Sequence, residues 1–210
     1  MKLHTLLSCL ALSSLATFAS PVSADPTRSI GGGNTTVTLA PELLTALSSL
    51  NVLASRVEES SSRIDAVTFP VIEGLVDLAN AKAEILHSGG LRLFSDTVSV
   101  KLINFAVDTT GESPVVTGDI VANNSLVART PLFNAVLPNL QLPLEPTRRS
   151  ISIRPIQLTL TSEAATALNG AFGVTAFQAG QAIGQASINL SLGRSDRIRS
   201  AARRNTGRNR

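Results

Sequence analysis

From Thr35 to Leu192 the chain is built almost throughout of short runs rich in Val, Ile, Leu and Thr, broken by clusters of Gly, Pro, Asn and Asp-Thr. That texture restricts it to an all-β domain. The clearest alternation is Val98, Val100 and Leu102, which changes phase to Ile103, Phe105 and Val107. A period-2 pattern that slips by one residue is the mark of a β-bulge. A second run, Ile151 and Ile153, then Ile156, Leu158 and Leu160, changes phase at Arg154-Pro155. Proline removes a ladder donor, so this strand is expected to be bulged or at an edge. The last run places Ala182, Gly184, Ala186, Ile188, Leu190 and Leu192 on one face and Gln185, Ser187, Asn189 and Ser191 on the other. One wet face indicates an antiparallel sheet. The pattern predicts an antiparallel β-sandwich of about eight to eleven strands.

Two short helices interrupt the strands. The first, over 41–49, starts with Pro41 at the first helical position and Glu42 in the positive-dipole turn. The second, over 162–171, follows Thr161 as a cap, with Glu163 similarly placed. Both lie in an internal strand–helix repeat: 37–48 matches 158–169 with six identities in twelve positions. The two helices are expected to cap related sites over the open ends of the core.

Residues 1–24 have the parts of a secretory signal peptide: Lys2, an apolar run from Leu6 to Phe18 too short to span a bilayer, and Val22-Ser23-Ala24 before the expected cleavage point. Cys9 falls inside this leader. Beyond it there is no Cys, so the core must hold without disulfides. The remaining length suffices for one domain over 35–193. Residues 25–34, with Gly31-Gly32-Gly33, are expected to form a flexible linker. No later run is long enough for a transmembrane helix. The expected location is secreted or extracytoplasmic, at the periplasm or cell surface.

The formal charge of +3 conceals a split. Residues 194–210 carry seven arginines (Arg194, Arg197, Arg199, Arg203, Arg204, Arg208 and Arg210) against Asp196, whereas 25–193 is net acidic. The tail has no apolar face to bury and is expected to be disordered. Its charge suits contact with an anionic cell-envelope polymer or surface protein. With no aromatic residue to stack on bases, it does not indicate specific nucleic-acid binding.

Beyond the leader the chain also lacks Met, Trp and Tyr, and its single histidine is His87. One His and no Cys argue against a zinc site. His87, Ser88 and Asp108 are the residue types of a nucleophilic triad, but no G-x-S-x-G elbow accompanies them. Asp108, Glu112 and Asp119 could offer oxygens to calcium, but a polar hairpin turn explains the same residues and is the preferred reading. Glu73, Asp77 and Glu84 could supply a glycosidase pair, without an aromatic sugar platform beyond Phe. The six phenylalanines after the leader sit among aliphatic residues and read as core.

The segments Phe69-Pro70, Gly74, Ile85-Leu86-His87-Ser88-Gly89-Gly90-Leu91-Arg92-Leu93, 100–108, 114–118 and Arg129-Thr130-Pro131-Leu132-Phe133 resemble an uncharacterised β-rich domain of exported bacterial proteins. Residues 158–177 resemble the closing part of that domain. The Phe-Pro/Gly entry and the His before a Gly-rich turn into Leu-x-Leu also resemble the HtaA-type haem-binding domain of bacterial surface iron-uptake proteins. That second resemblance implies haem as cofactor and His87 as a haem-site residue. It also implies a Tyr iron ligand, and this chain has no Tyr. The leading expectation is a non-catalytic structural or binding module at the cell envelope, with no cofactor or metal and with its basic tail on anionic polymers. The alternatives are a haem-binding HtaA-like module in iron acquisition and a secreted hydrolase.

Overall fold

The computed structural model describes residues 26–57 and 64–193. The leader and the arginine-rich tail lie outside the described residues. Ten strands and two helices follow in the order β1 (Thr27–Leu39), α1 (Pro41–Ser49), β2 (Leu53–Arg56), β3 (Ala66–Asp77), β4 (Ala83–His87), β5 (Gly90–Phe94), β6 (Ser99–Asp108), β7 (Val115–Ala122), β8 (Ser125–Val136), β9 (Ser150–Leu160), α2 (Ser162–Phe172) and β10 (Ala182–Leu192).

The domain is all-β and antiparallel, but it is a closed barrel and not the expected sandwich. Eight strands form the ring β6-β4-β3-β1-β10-β9-β8-β7, and β7 pairs back onto β6. One edge of β6 carries β7 along most of its length; the other is divided between β5, at Ser99 to Ile103, and β4, at Ala106 to Asp108. β2 pairs only with β5 and extends the sheet beyond the ring. A wet-face/dry-face alternation suits either a sandwich or a barrel. Curvature decides, and bulges supply it. Register shifts occur in β1 at Ile30/Gly32, in β3 at Val71/Glu73, in β6 at Ile103/Ala106 and in β9 between Ile153 and Ile156, opposite Ala186 and Ile188.

Two of these bulges stand where the hydrophobic pattern slips. In β6, Val100, Leu102 and Phe105 are buried, and Asn104 is turned out with φ +56°. Its Nδ2 donates to Asp119 Oδ2 (2.7 Å), and Arg129 donates to Asp119 Oδ1 (2.8 Å) and to the Asn104 carbonyl (3.2 Å). Asn104 first, then Arg129, hold the Asp119 carboxyl below its ordinary range. In β9 the shift falls opposite Arg154-Pro155: Ile153 faces Ile188 and Ile156 faces Ala186.

Residues 25–34, expected as a linker, are from Thr27 onward the first half of β1. Gly33 serves close approach here. A Cβ on Gly33 would overlap the Asn189 carbonyl of β10. The glycine run is where β1 bends: its register with β10 shifts at Ile30/Gly32, and its pairing with β3 lapses between Ile30 and Asn34 before resuming in phase.

β1 and β9 flank β10 in the same direction, so both helices leave at one end of the barrel. α2 is capped by Thr161, whose Oγ1 accepts from Ala164 N (3.1 Å), and ends at Gly173 with φ +67°. Leu43 and Leu47 of α1 and Leu168 of α2 meet Leu39, Leu160 and Ile183 in one apolar plug. The two strand–helix units therefore cover the same end rather than opposite ends. Outward residues of β10 (Gln185, Asn189 and Ser191) are exposed and polar, the reverse of a lipid-facing strand. Among the described residues no helix is long and apolar enough to cross a membrane.

Two glycines of similar appearance in the sequence should behave oppositely. A Cβ on Gly184 would overlap the Thr38 carbonyl, so Gly184→Ala should cost at least about 2 kcal/mol. Gly170 lies on an exposed turn of α2 with nothing within 4 Å of a Cβ, so Gly170→Ala should stabilise by up to about 1 kcal/mol. Chemical denaturation of the two variants beside the parent measures both.

Candidate functional site: a step in the barrel wall

Residues 83–94 run along one edge of β6 as a single path with a step in it. The β4 half pairs with β3, its last contact being Val71 with His87. The β5 half leaves β3 and pairs with β2 instead. The step is Ser88-Gly89-Gly90. Gly89 has φ +83°, favourable for glycine. Gly90 packs so closely that a Cβ would lie 2.5 Å from Ile103 Cγ2 and 2.6 Å from Val57 Cγ2. Ser88 N donates to the Pro70 carbonyl (2.9 Å) and Val57 N to the Gly90 carbonyl (3.1 Å), fixing both banks.

A groove of about 470 Å³ opens at this step. Val57 and Pro70 give it apolar surface, Arg56, Thr68 and Ser88 bring polar groups to it, and Val67 adjoins it with its side chain buried in the barrel. Thr68 is exposed, and its Oγ1 shares a hydrogen bond of 2.9 Å with Thr36 Oγ1.

His87 lies next to the step but lines a different space. It is 4% exposed and borders the barrel interior, a cavity of about 70 Å³ shared with Thr35, Phe69 and Phe105. Phe69 and Phe105 meet edge to face at 4.9 Å. His87 Nε2 and Thr35 Oγ1 share a hydrogen bond of 2.8 Å, with the donor set by the ring tautomer. Nδ1 is buried and makes no hydrogen bond of acceptable geometry. No charged side chain lines this cavity among the described residues. Burial therefore dominates and pulls the imidazole pKa down to about 4, against a smaller opposing pull from the Ile85 and Phe105 backbone. At neutral pH His87 is uncharged.

The other residues singled out by sequence do not converge. Ser88 Oγ reaches only the Pro70 carbonyl, at 3.5 Å. Asp108 Oδ1 accepts from Thr110 Oγ1 (2.6 Å) and Thr110 N (2.7 Å), which hold its carboxyl below the ordinary range. Asp77 closes the β3–β4 turn by accepting from Ala79 N and Asn80 Nδ2. Asp119 belongs to the β6 bulge. No cluster of three His, Cys, Asp or Glu suited to a metal occurs among the described residues. The seven tail arginines lie outside the described residues. Sequence reasoning missed Thr35 as the partner of His87, and missed Arg56, Val57 and Thr68 at the groove; the available signal was the Gly89-Gly90 pair at the strand break.

The His87 environment fixes a pH dependence. The unfolded imidazole takes up a proton near its ordinary value of 6.5, and the folded one only near 4. Protons therefore favour the unfolded chain in that interval. Stability should be full above about pH 6.5 and fall by about 3 kcal/mol on descending to pH 4. Denaturation midpoints at pH 7, 5.5 and 4 should show this fall, and His87→Leu should flatten it.

No protein-family model and no curated protein sequence matches the chain. Solved structures do match it. The C-terminal domain of HtaA from Corynebacterium glutamicum aligns with TM-score 0.60 at 15% identity, over 79% of this chain and 99% of that domain. The N-terminal domain of HtaA from the same organism aligns with TM-score 0.56 at 12% identity, over 79% and 99%. The heme binding protein HtaB of that organism aligns with TM-score 0.53 at 12% identity, over 80% and 96%. The chain shares the fold of these domains.

Proposed function

We propose that this chain is a non-catalytic, extracytoplasmic binding module whose ligand is a flat, largely apolar molecule of the tetrapyrrole class, taken in the groove at the wall step. The observation that carries this reading is the fold held in common with a heme binding protein over 80% of the chain. The groove adds support, since its volume falls in the range usual for small-molecule sites. It combines apolar surface from Val57 and Pro70 with Arg56 and two hydroxyls, a combination suited to a planar body carrying carboxylates. The interior cavity of about 70 Å³ is far too small for such a ligand.

Haem itself meets a mismatch at the iron. Tyr is absent from the chain, Met1 and Cys9 are in the leader, and His87 is buried with Nε2 engaged. Among the described residues that line the groove, none has a side chain of the usual iron-ligating types. The residues suit the porphyrin edge and face, not its metal.

The leader supports export, and the tail, with seven arginines, supports retention on an anionic envelope. Washing envelope fractions in about 1 M salt, where screening is nearly complete, should then release the protein. Retention through the wash would remove the tail's role.

Binding is tested by titrating hemin into the full chain and following the Soret band and heat. The chain has neither Trp nor Tyr, so these readouts replace intrinsic fluorescence. A saturable one-to-one isotherm is expected. Thr68→Glu, which puts a carboxylate in the groove, should weaken it about tenfold, or about 1.4 kcal/mol. Absence of saturable binding would overturn the reading.

A further inference from the structure

We infer that this chain recognises a tetrapyrrole without ligating its iron, so that metal-free and iron-loaded forms are equivalent ligands. The inference rests on the binding reading above and concerns only how the ligand is held.

Three facts lead to it. First, the composition removes nearly every strong iron ligand: no Tyr anywhere, and no Cys or Met beyond the leader. Second, the one remaining donor, His87, is placed where a groove ligand does not reach it. It borders the interior cavity and not the groove, although its neighbour Ser88 lines the groove. Its Nε2 is taken by Thr35. Reaching a ligand would require breaking that bond and turning the ring out through β4, whose backbone is held between β3 and β6. Third, the groove is built from groups that act on a porphyrin irrespective of its centre. Val57 and Pro70 offer apolar surface to the ring, and Arg56 with Ser88 offers donors to carboxylates. Binding energy therefore comes from the macrocycle and its side chains.

The functional consequence is a shift in selectivity. A module that ligates iron discriminates haem from its metal-free precursor; one that holds only the macrocycle does not. Such a module would take free porphyrins and their metal complexes alike.

The test is a side-by-side calorimetric titration of the full chain with hemin and with metal-free protoporphyrin IX, with the hemin complex also examined by absorption for axial ligation. Affinities within about threefold are expected, with no band pattern of protein-ligated iron. His87→Leu should leave both affinities unchanged within the same factor. Hemin bound at least tenfold tighter than the metal-free ring, with a ligated spectrum, would overturn the inference while leaving the binding reading intact. Should His87→Leu prove unfolded, the spectrum and affinity ratio of the parent protein still decide. Failure of both ligands to bind would overturn the binding reading itself, and this inference with it.

Discussion

The partner switch within 83–94 is the constraint on which the rest of the structure depends. Up to His87 this stretch holds β3 to β6 and so closes the ring; from Gly90 it holds β2 instead. Were it to follow β3 throughout, β2 would have no partner and the groove would be filled by a continuous wall. The switch needs a residue at φ +83° and another whose missing Cβ lets Ile103 and Val57 come together. Gly89 and Gly90 meet both needs, and ring closure, the lateral strand and the wall step are consequences of the same two residues.

The switch also settles what His87 can do. As the last residue of β4 its side chain takes the inward position of the pleat, among Phe69, Phe105 and the aliphatic lining. Within that cavity Nε2 of the neutral imidazole and the Thr35 hydroxyl satisfy one another, while the buried Nδ1 is left without a partner. A neutral imidazole is chemically a good metal ligand. Position withdraws it here, not protonation. The residue most conspicuous as a reactive group in the sequence thus links β4 to β1 through Thr35.

Features set by local pattern were legible in the sequence. The slip at Ile103–Phe105 marks the bulge that exposes Asn104, and Arg154-Pro155 marks the one in β9, because a bulge changes which side of the pleat each neighbour occupies. Pro41 and Thr161 mark the helix starts for reasons internal to one turn. Features set by partners distant in the chain were not legible. Gly31–Gly33 read as a linker because the carbonyl of Asn189, which makes a side chain impossible at Gly33, lies at the other end of the sequence. Closure escaped for the same reason: alternation reports which face is dry, not whether the sheet returns to itself. At the site, His87 was visible but its direction was not, since that depends on Thr35 across two ladders.

Closure has a further consequence for where function can reside. In an eight-stranded ring the inward side chains fill the bore, and only about 70 Å³ remains. The interior is then committed to stability: changing its side chains costs packing, and inserting a ligand costs more. The wall step is under no such restriction. Its glycines must stay, but Arg56, Thr68 and Ser88 stand on a surface whose geometry is fixed by backbone bonds between Ser88 and Pro70 and between Val57 and Gly90. Side chains there can change without disturbing the barrel. A fold shared at 12–15% identity over four-fifths of the chain is compatible with that separation. The dry face is kept by any residues of suitable volume, and side chains at the wall step are free to diverge where the core does not depend on them.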